Sequence, residues 1–347
     1  MSVRTAVVGA GIMGDVHLKQ LNSIQDIDVV ALMDPNEENA TTLSTKHDVE
    51  GVFGDMETML AVARPEYVIV ASPPRFHAAQ AIAAMQSGAH VLVEKPLCIT
   101  VSETEAIEAC AKQTRRQFTM GVQRRQSRAM RAVKQFIQDG ELGTVYHSRV
   151  WAGHIMSYAW GQYHHRKEMS LGGVLAATTV HTLDACLWLI GAPEPLTVTA
   201  STFRRLDKMK SPHVSFEGTA TDSTVEDFGH AHVRFADGSS MSIEGNWLMH
   251  PTKHGNGFEI LGVNGVARDV APYVELEEGT KVIPYEFNHE EEPDDAVRQE
   301  HVEFIDAIRG NGIPIVSFQE ALTVQKILVG IYTSAESGKE VSVKDLA

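Results

Sequence analysis

"VVGAGIMG", residues 7–14, decides the fold. It sets Gly9, Gly11 and Gly14 in G-x-G-x-x-G spacing, between the β-branched run Thr5–Val8 and the helix-patterned stretch Met13–Leu21. At such a strand-to-helix junction the first glycine makes a tight turn and the second lets backbone approach a pyrophosphate. The third permits close packing of helix on strand. The helix N-terminus, where Ile12 and Met13 lie, then faces the phosphates with its partial positive charge. The glycines alone are a loose signal. The next apolar run, Val29–Met33, ends at Asp34, 20 residues beyond Gly14, and this context makes the fingerprint specific. A carboxylate there binds both ribose hydroxyls and repels a 2′-phosphate. No arginine follows in "MDPNEEN", 33–39, so NAD is expected over NADP.

Working outward, strand runs recur at Tyr67–Ala71, His90–Val93 and Phe118–Met120, with helix patterns at Phe76–Gln86 and Glu103–Thr114 between them. Continuous apolar strands alternating with helices predict a doubly wound parallel sheet covered on both faces, an α/β Rossmann domain over 1–121. Beyond Gly121 the rhythm changes. A helix is expected over Ala129–Gln138, and "VRFADGSSMSIEG", 233–245, reads as a hairpin turning at Asp237-Gly238. Short strands follow near Phe258–Val263, Tyr273–Leu276 and Lys281–Phe287, and "NHEEEPDD", 288–295, is expected to be a solvated loop. Helix patterns at Val297–Arg309 and Gln319–Ser337 close the chain. Residues 122–347 are thus expected to form an α+β domain on an open, mainly antiparallel sheet, with 297–337 free to pack back on the first domain.

The 347 residues suffice for two cores, and their net charge of −15 disfavours nucleic-acid and anionic-membrane partners. The N-terminus has no secretory pattern and no apolar run is long enough to span a bilayer. Cys98, Cys110 and Cys186 form no C-x-x-C, which suits a reducing cytoplasm.

Two strand ends carry polar groups to the edge where ligands bind in such sheets. "SPPRFH", 72–77, aims Ser72, Pro73 and His77 there, and "HVLVEKPL", 90–97, aims Glu94 and Lys95. A partly buried lysine beside a nicotinamide can hydrogen-bond a substrate hydroxyl and relay its proton. In domain two, "WAGHIMSYAWGQYHHRKEMS", 151–170, offers Trp151, His154, Tyr158, Trp160, Tyr163, His164, His165 and Arg166. Aromatic faces with hydrogen-bonding edges suit sugar rings, and Arg166 suits an acidic group. The adjacent histidines lack a metal-ligand spacing, and no metal is expected.

With "GAGIMG", "SPPRFH", "VLVEKPL", "GVQRRQS", "DGELG" and "GGVLAATTVHTLD" in this order, the sequence resembles the Gfo/Idh/MocA oxidoreductases over essentially its whole length. The resemblance implies a Rossmann domain followed by an open-sheet domain, and NAD(P)-dependent oxidation or reduction at a sugar or cyclitol carbon. It implies catalytic roles for Lys95 and His181, and contacts from Glu94 and Gln123 to the nicotinamide-ribose end of the cofactor. One departure stands out: the family's aspartate four residues before the histidine is here Ala177. Thr178 or Thr179 could supply a neutral hydrogen bond to substrate instead, or Asp184 could orient His181 across one helical turn.

The reading is an NAD-dependent dehydrogenase for a secondary hydroxyl of a sugar, glycoside or cyclitol. Alternatives are an NAD-recycling enzyme that cleaves glycosides by transient oxidation at C3 and elimination, or a sensor of sugar or NAD without catalysis. The apolar alternation in "HAHVRF", 230–235, and "MSIEGNW", 241–247, suggests a sheet face buried by a second copy, hence a homodimer or homotetramer.

Overall fold

The computed structural model describes residues 2–154, 163–205, 223–249, 255–287, 292–293 and 295–346. The chain divides into two compact units, Met1–Gln123 with Asp294–Ala321, and Arg124–Pro293 with Leu322–Ala347. The C-terminal helices are therefore shared out: Ala296–Ile308 lies with the first unit, and most of Phe318–Ser337 with the second.

In the first unit, strands β1 (Val3–Val8), β2 (Ile27–Met33), β3 (Val52–Phe53), β4 (Tyr67–Val70), β5 (His90–Glu94) and β6 (Phe118–Gly121) form a sheet in the order β3-β2-β1-β4-β5-β6. Every pairing is parallel. Helices α1 (Ile12–Leu21), α2 (Glu37–His47), α3 (Met56–Ala63), α4 (Pro74–Ser87) and α5 (Val101–Thr114) connect them. The strands are apolar at successive positions because both faces are covered. Val68, Val70, Val91 and Val93 enter one core, and Tyr67, Ile69 and Leu92 the other. Phe318 stacks on Phe118 at 4.3 Å in the first of these cores, while Phe304 and Ile305 close the second.

The second unit holds a nine-stranded sheet. Its strands are β7 (Val145–Ala152), β8 (Pro195–Phe203), β9 (Phe228–Phe235), β10 (Ser240–Asn246), β11 (Gly257–Gly262), β12 (Gly265–Arg268), β13 (Val274–Glu278), β14 (Lys281–Tyr285) and β15 (Val341–Ser342). The order is β14-β13-β12-β11-β7-β10-β9-β8-β15, antiparallel throughout except where β10 runs parallel to β7. The remaining α-helices of the described residues are α6 (Arg128–Gln138), α7 (Lys167–Ser170), α8 (Val180–Leu189), α9 (Ala296–Ile308) and α10 (Phe318–Ser337), with a π-helical turn, Leu175–Thr179, leading into α8.

Two expectations are corrected here. The alternation in β9 and β10 sends Ala231, Val233, Phe235, Met241 and Ile243 into the unit's own core. The opposite side carries His230, His232, Arg234, Ser240, Ser242 and Glu244, all at least partly exposed. The apolar pattern is accounted for within the chain and carries no argument for a second copy. Nor is the acidic stretch merely solvated. Glu292 accepts from the N–H groups of Arg128 and Ala129 at the start of α6, and Asp295 accepts from those of Val297 and Arg298 in α9. Both carboxylates satisfy orphan donors at helix N-termini, where negative charge is favoured.

Candidate functional site

In the first unit the glycine loop behaves as its spacing requires. Gly9 has φ +105°, and a Cβ there would lie 2.6 Å from the Ala71 carbonyl oxygen. A Cβ on Gly14 would lie 2.0 Å from the Gly9 oxygen, so α1 packs against the loop only through glycine. At Gly11 a Cβ would meet no heavy atom within 4 Å. That glycine fills no packing need of the protein, and the space above it suits a ligand brought against backbone. Ile12, beside it, is 74% exposed, and Met13 is half-buried.

Asp34 stands where β2 ends. Oδ2 accepts from the Ala10 N–H at 2.8 Å and Oδ1 from the Asn36 N–H at 2.8 Å. These bonds fix the plane of the carboxylate and leave each oxygen a second lone pair. The donors and open space in this loop fit a dinucleotide's pyrophosphate and ribose.

At the ends of β4 and β5 the expected residues part into two groups. Lys95 is half-buried and follows β5 directly, with the Lys95-Pro96 bond cis. Burial draws its ammonium below the ordinary lysine range, and the Glu94 charge opposes this. Glu94 is 6% exposed; Oε2 accepts from the Lys95 N–H at 3.1 Å and Oε1 meets His17 Nε2 at 2.9 Å. His77, expected at the cofactor, is 1% exposed. Its Nε2 lies 2.6 Å from the Ser72 carbonyl and its Nδ1 3.1 Å from those of Pro96 and Leu97. The ring therefore ties the β4 loop to the loop carrying Lys95. Ser72 donates to Gln80 at 2.5 Å, Pro73 caps α4, and Gln123 opens a short 3-10 turn, half-buried.

In the second unit, residues 174–189 are buried except Ala177, Thr178 and His181, which are half-buried. Their i, i+1, i+4 spacing puts them on one helix face, and that face is the open one. The Trp247 indole N–H donates to Thr178 Oγ1 at 3.0 Å, which leaves the hydroxyl its own proton to donate. Asp184 is not turned to His181; both its oxygens bond Arg125, and neither side chain has exposed area. The π-turn in place of α-helix at 175–179 widens the backbone around Ala177, a distortion common at functional positions.

The glycine pair before this helix has a packing cause that its sequence did not reveal. A Cβ on Gly172 would lie 1.9 Å from the Tyr332 hydroxyl, and one on Gly173 would lie 1.9 Å from the Glu226 backbone carbonyl oxygen. The buried Glu226 carboxylate accepts from the N–H groups of Gly173 and Leu175 and from the Tyr332 hydroxyl, at 2.7–3.0 Å. It thereby caps the helix that carries His181. Burial pushes its carboxyl up, against the pull of these three donors.

Of the aromatic segment, Trp151 and His154 are half-buried on or just after β7, Tyr163 and Arg166 are exposed, and His165 is 6% exposed. Tyr158 and Trp160 lie outside the described residues. Among the described residues no three His, Cys, Asp or Glu side chains gather as metal ligands, and no helix is long and apolar enough to cross a membrane.

Residues 3–122 match a model described as the oxidoreductase family with NAD-binding Rossmann fold, and residues 130–268 match the GFO/IDH/MocA C-terminal domain. The chain belongs to the Gfo/Idh/MocA oxidoreductase family. This family member is 24% identical over 345 residues to a D-glucoside 3-dehydrogenase of Escherichia coli, covering 98% of this chain and 97% of the relative. It is 28% identical over 196 residues to an inositol 2-dehydrogenase of Salmonella typhimurium, about half of each chain (55% and 55%). A crystal structure of scyllo-inositol dehydrogenase from Lactobacillus casei, with bound NAD(H) and scyllo-inositol, superposes with a TM-score of 0.77 at 21% identity, over 99% of this chain and 100% of that one. At that identity the likeness speaks for the fold.

Proposed function

We propose that this oxidoreductase is an NAD-dependent dehydrogenase acting on a secondary hydroxyl of a sugar, glycoside or cyclitol. The observation that carries the reading is the placing of a half-buried lysine, Lys95, directly after β5 of the sheet whose first strand leads into the glycine loop. The relatives named for glucoside and inositol oxidation support the substrate class.

Asp34 supports NAD over NADP: its two anchored oxygens suit paired ribose hydroxyls, and Glu37 and Glu38 add negative charge where a 2′-phosphate would need a cation. NAD, when bound, supplies the hydride acceptor. In this reading Lys95 donates a hydrogen bond to the reacting oxygen, and its lowered proton affinity eases release of charge as the carbonyl forms. His181 accepts the hydroxyl proton, and Thr178 gives substrate a neutral donor where relatives of the sugar-dehydrogenase type have a carboxylate. Trp151, His154, Tyr163, His165 and Arg166 are the proposed ring contacts. We also propose that the protein works in the cytoplasm as a homodimer or homotetramer through the C-terminal sheet.

The test is an NADH-fluorescence screen over cyclitols, aldoses, uronic acids and glycosides, run with wild type, Lys95→Ala and His181→Ala. Turnover falling by about 10²–10⁴ in each variant, with NAD affinity retained, supports the reading. Full turnover in Lys95→Ala overturns it. The half-buried Ala177 favours a second reading, glycoside cleavage through transient oxidation, in which product forms without NADH accumulating.

A further inference from the structure

The interior of the first unit contains a chain of polar groups that the proposed chemistry does not use. Tyr67 on β4, His301 on α9 and His17 on α1 are each 0% exposed, and they run in series to Glu94 on β5. The Tyr67 hydroxyl lies 2.8 Å from His301 Nδ1. His301 Nε2 lies 3.0 Å from His17 Nδ1, and His17 Nε2 lies 2.9 Å from Glu94 Oε1.

Hydrogen-bond accounting gives this series a direction. One proton fits between the two rings, so one ring donates and the other accepts. A buried hydroxyl must place its proton on an acceptor, and among the described residues His301 Nδ1 is the acceptor within reach of Tyr67. His301 then carries its proton on Nε2 and gives it to His17 Nδ1. That leaves His17 Nε2–H to donate to the carboxylate. Burial agrees at the far end, since it drives the Tyr67 hydroxyl up and the His301 ring well down.

We propose that Tyr67, His301 and His17 form a one-way donor chain ending on Glu94, and that His17 and His301 are positioning residues for the Glu94–Lys95 pair. The importance for turnover rests on the role given to Lys95 above; the chain itself does not. Glu94 turns its other oxygen to the Lys95 N–H and its negative charge toward the ammonium. The remaining titratable groups of this interior have their own ties. His77 on α4 is held by backbone carbonyls, and Glu300 on α9 accepts the Val122 N–H at 2.8 Å.

Two measurements on the whole protein test this. Long-range proton–nitrogen correlation of ¹⁵N-histidine protein, assigned with His17→Gln and His301→Gln, should find both rings singly protonated on Nε2. A proton on His301 Nδ1, or a doubly protonated His17, overturns the chain. Trace labelling of Lys95 with acetic anhydride against pH, read by mass spectrometry, tests the consequence. The midpoint should fall by about one pH unit in Glu94→Gln, where the ammonium loses its anionic partner, fall in the same direction in His17→Leu, where the carboxylate loses the buried donor that holds it ionised and oriented, and stay near wild type in His17→Gln. An unmoved midpoint in either of the first two variants overturns the positioning role. Turnover in Lys95→Ala judges the function proposed above separately from both.

Discussion

Arg125 and Asp184 meet in two parallel hydrogen bonds, Nε to Oδ2 at 2.9 Å and Nη2 to Oδ1 at 2.7 Å, with neither side chain exposed. Arg125 belongs to the turn after β6, and Asp184 sits one helical turn beyond His181, so the pair clamps α8 to that turn. The Arg125 guanidinium also lies over the Trp188 ring, 5.8 Å from its centroid. Such a pair repays its desolvation only while both partners are present.

Asp184→Ala, which strands a buried cation, should therefore destabilise the fold by about 3–5 kcal/mol. The double variant Arg125→Met/Asp184→Leu should recover most of that loss, because it removes both charges together. Urea unfolding of the three proteins checks this. A loss below about 1 kcal/mol in Asp184→Ala would show that the clamp contributes little.

The glycine loop separates a packing requirement from a ligand requirement. Gly11→Ala adds a methyl group that touches no protein atom, at a backbone angle open to alanine, so its melting temperature should match wild type. Its NAD affinity should fall at least tenfold, measured by calorimetry, as the methyl occupies the approach to the pyrophosphate. Gly14→Ala forces a methyl to 2.0 Å from a backbone oxygen and should lose stability before binding is considered. Equal NAD affinity in Gly11→Ala and wild type would mean the dinucleotide does not use this turn.

The first unit was legible because its signals are local. Thr5–Val8, Val29–Met33 and His90–Val93 are short apolar runs bounded by glycine or charge, and each is a strand buried on both faces. Strand β3, with two residues, and α2, polar along most of its length, gave the pattern too little to register. The site residues divide the same way. Gly9, Asp34, Lys95 and His181 announce themselves by motif, while His17 meets His301 across 284 positions and Glu226 meets Gly173 across 53. No spacing rule reaches so far. The one hint was a histidine three residues beyond Gly14, on the face of α1 that carries Leu18 and Leu21 inward. The apolar alternation of β9 and β10 marks a buried face, but an alternating strand does not say what buries it.

In the function proposed above, cofactor choice depends on one carboxylate, Asp34. In Asp34→Ala the backbone donors of Ala10 and Asn36 lose their acceptor and the adenosine ribose loses its partner. Hydrogen bonds to a charged group are worth about 1.5–3 kcal/mol, so NAD affinity should fall by about 10- to 100-fold. NADP affinity should fall less or rise, since the charge that repels its 2′-phosphate is gone. Titration of both dinucleotides against the variant decides it; an unchanged preference for NAD would shift the selection to Glu37 and Glu38.

Acid sensitivity should begin with the histidines rather than the carboxylates. Burial, with the Arg116 cation beside it, lowers His90 from 6.5 to about 4. Its Nδ1 accepts the Gln117 N–H at 2.9 Å, which also requires the unprotonated nitrogen. As pH falls below 6.5 the unfolded chain takes up a proton at this position, and the folded chain does not until about pH 4. Stability must therefore fall across that window and be unaffected by His90 above it. His77 and His301, also lowered by burial, act in the same direction. His90→Asn keeps an acceptor for Gln117 and removes the titration, so its stability should decline less steeply than wild type between pH 6.5 and 4. Chemical denaturation at half-unit steps of pH measures the two slopes. Identical slopes would mean that His90 takes its proton equally in both states, and that the strand end it occupies is wetter than its burial implies.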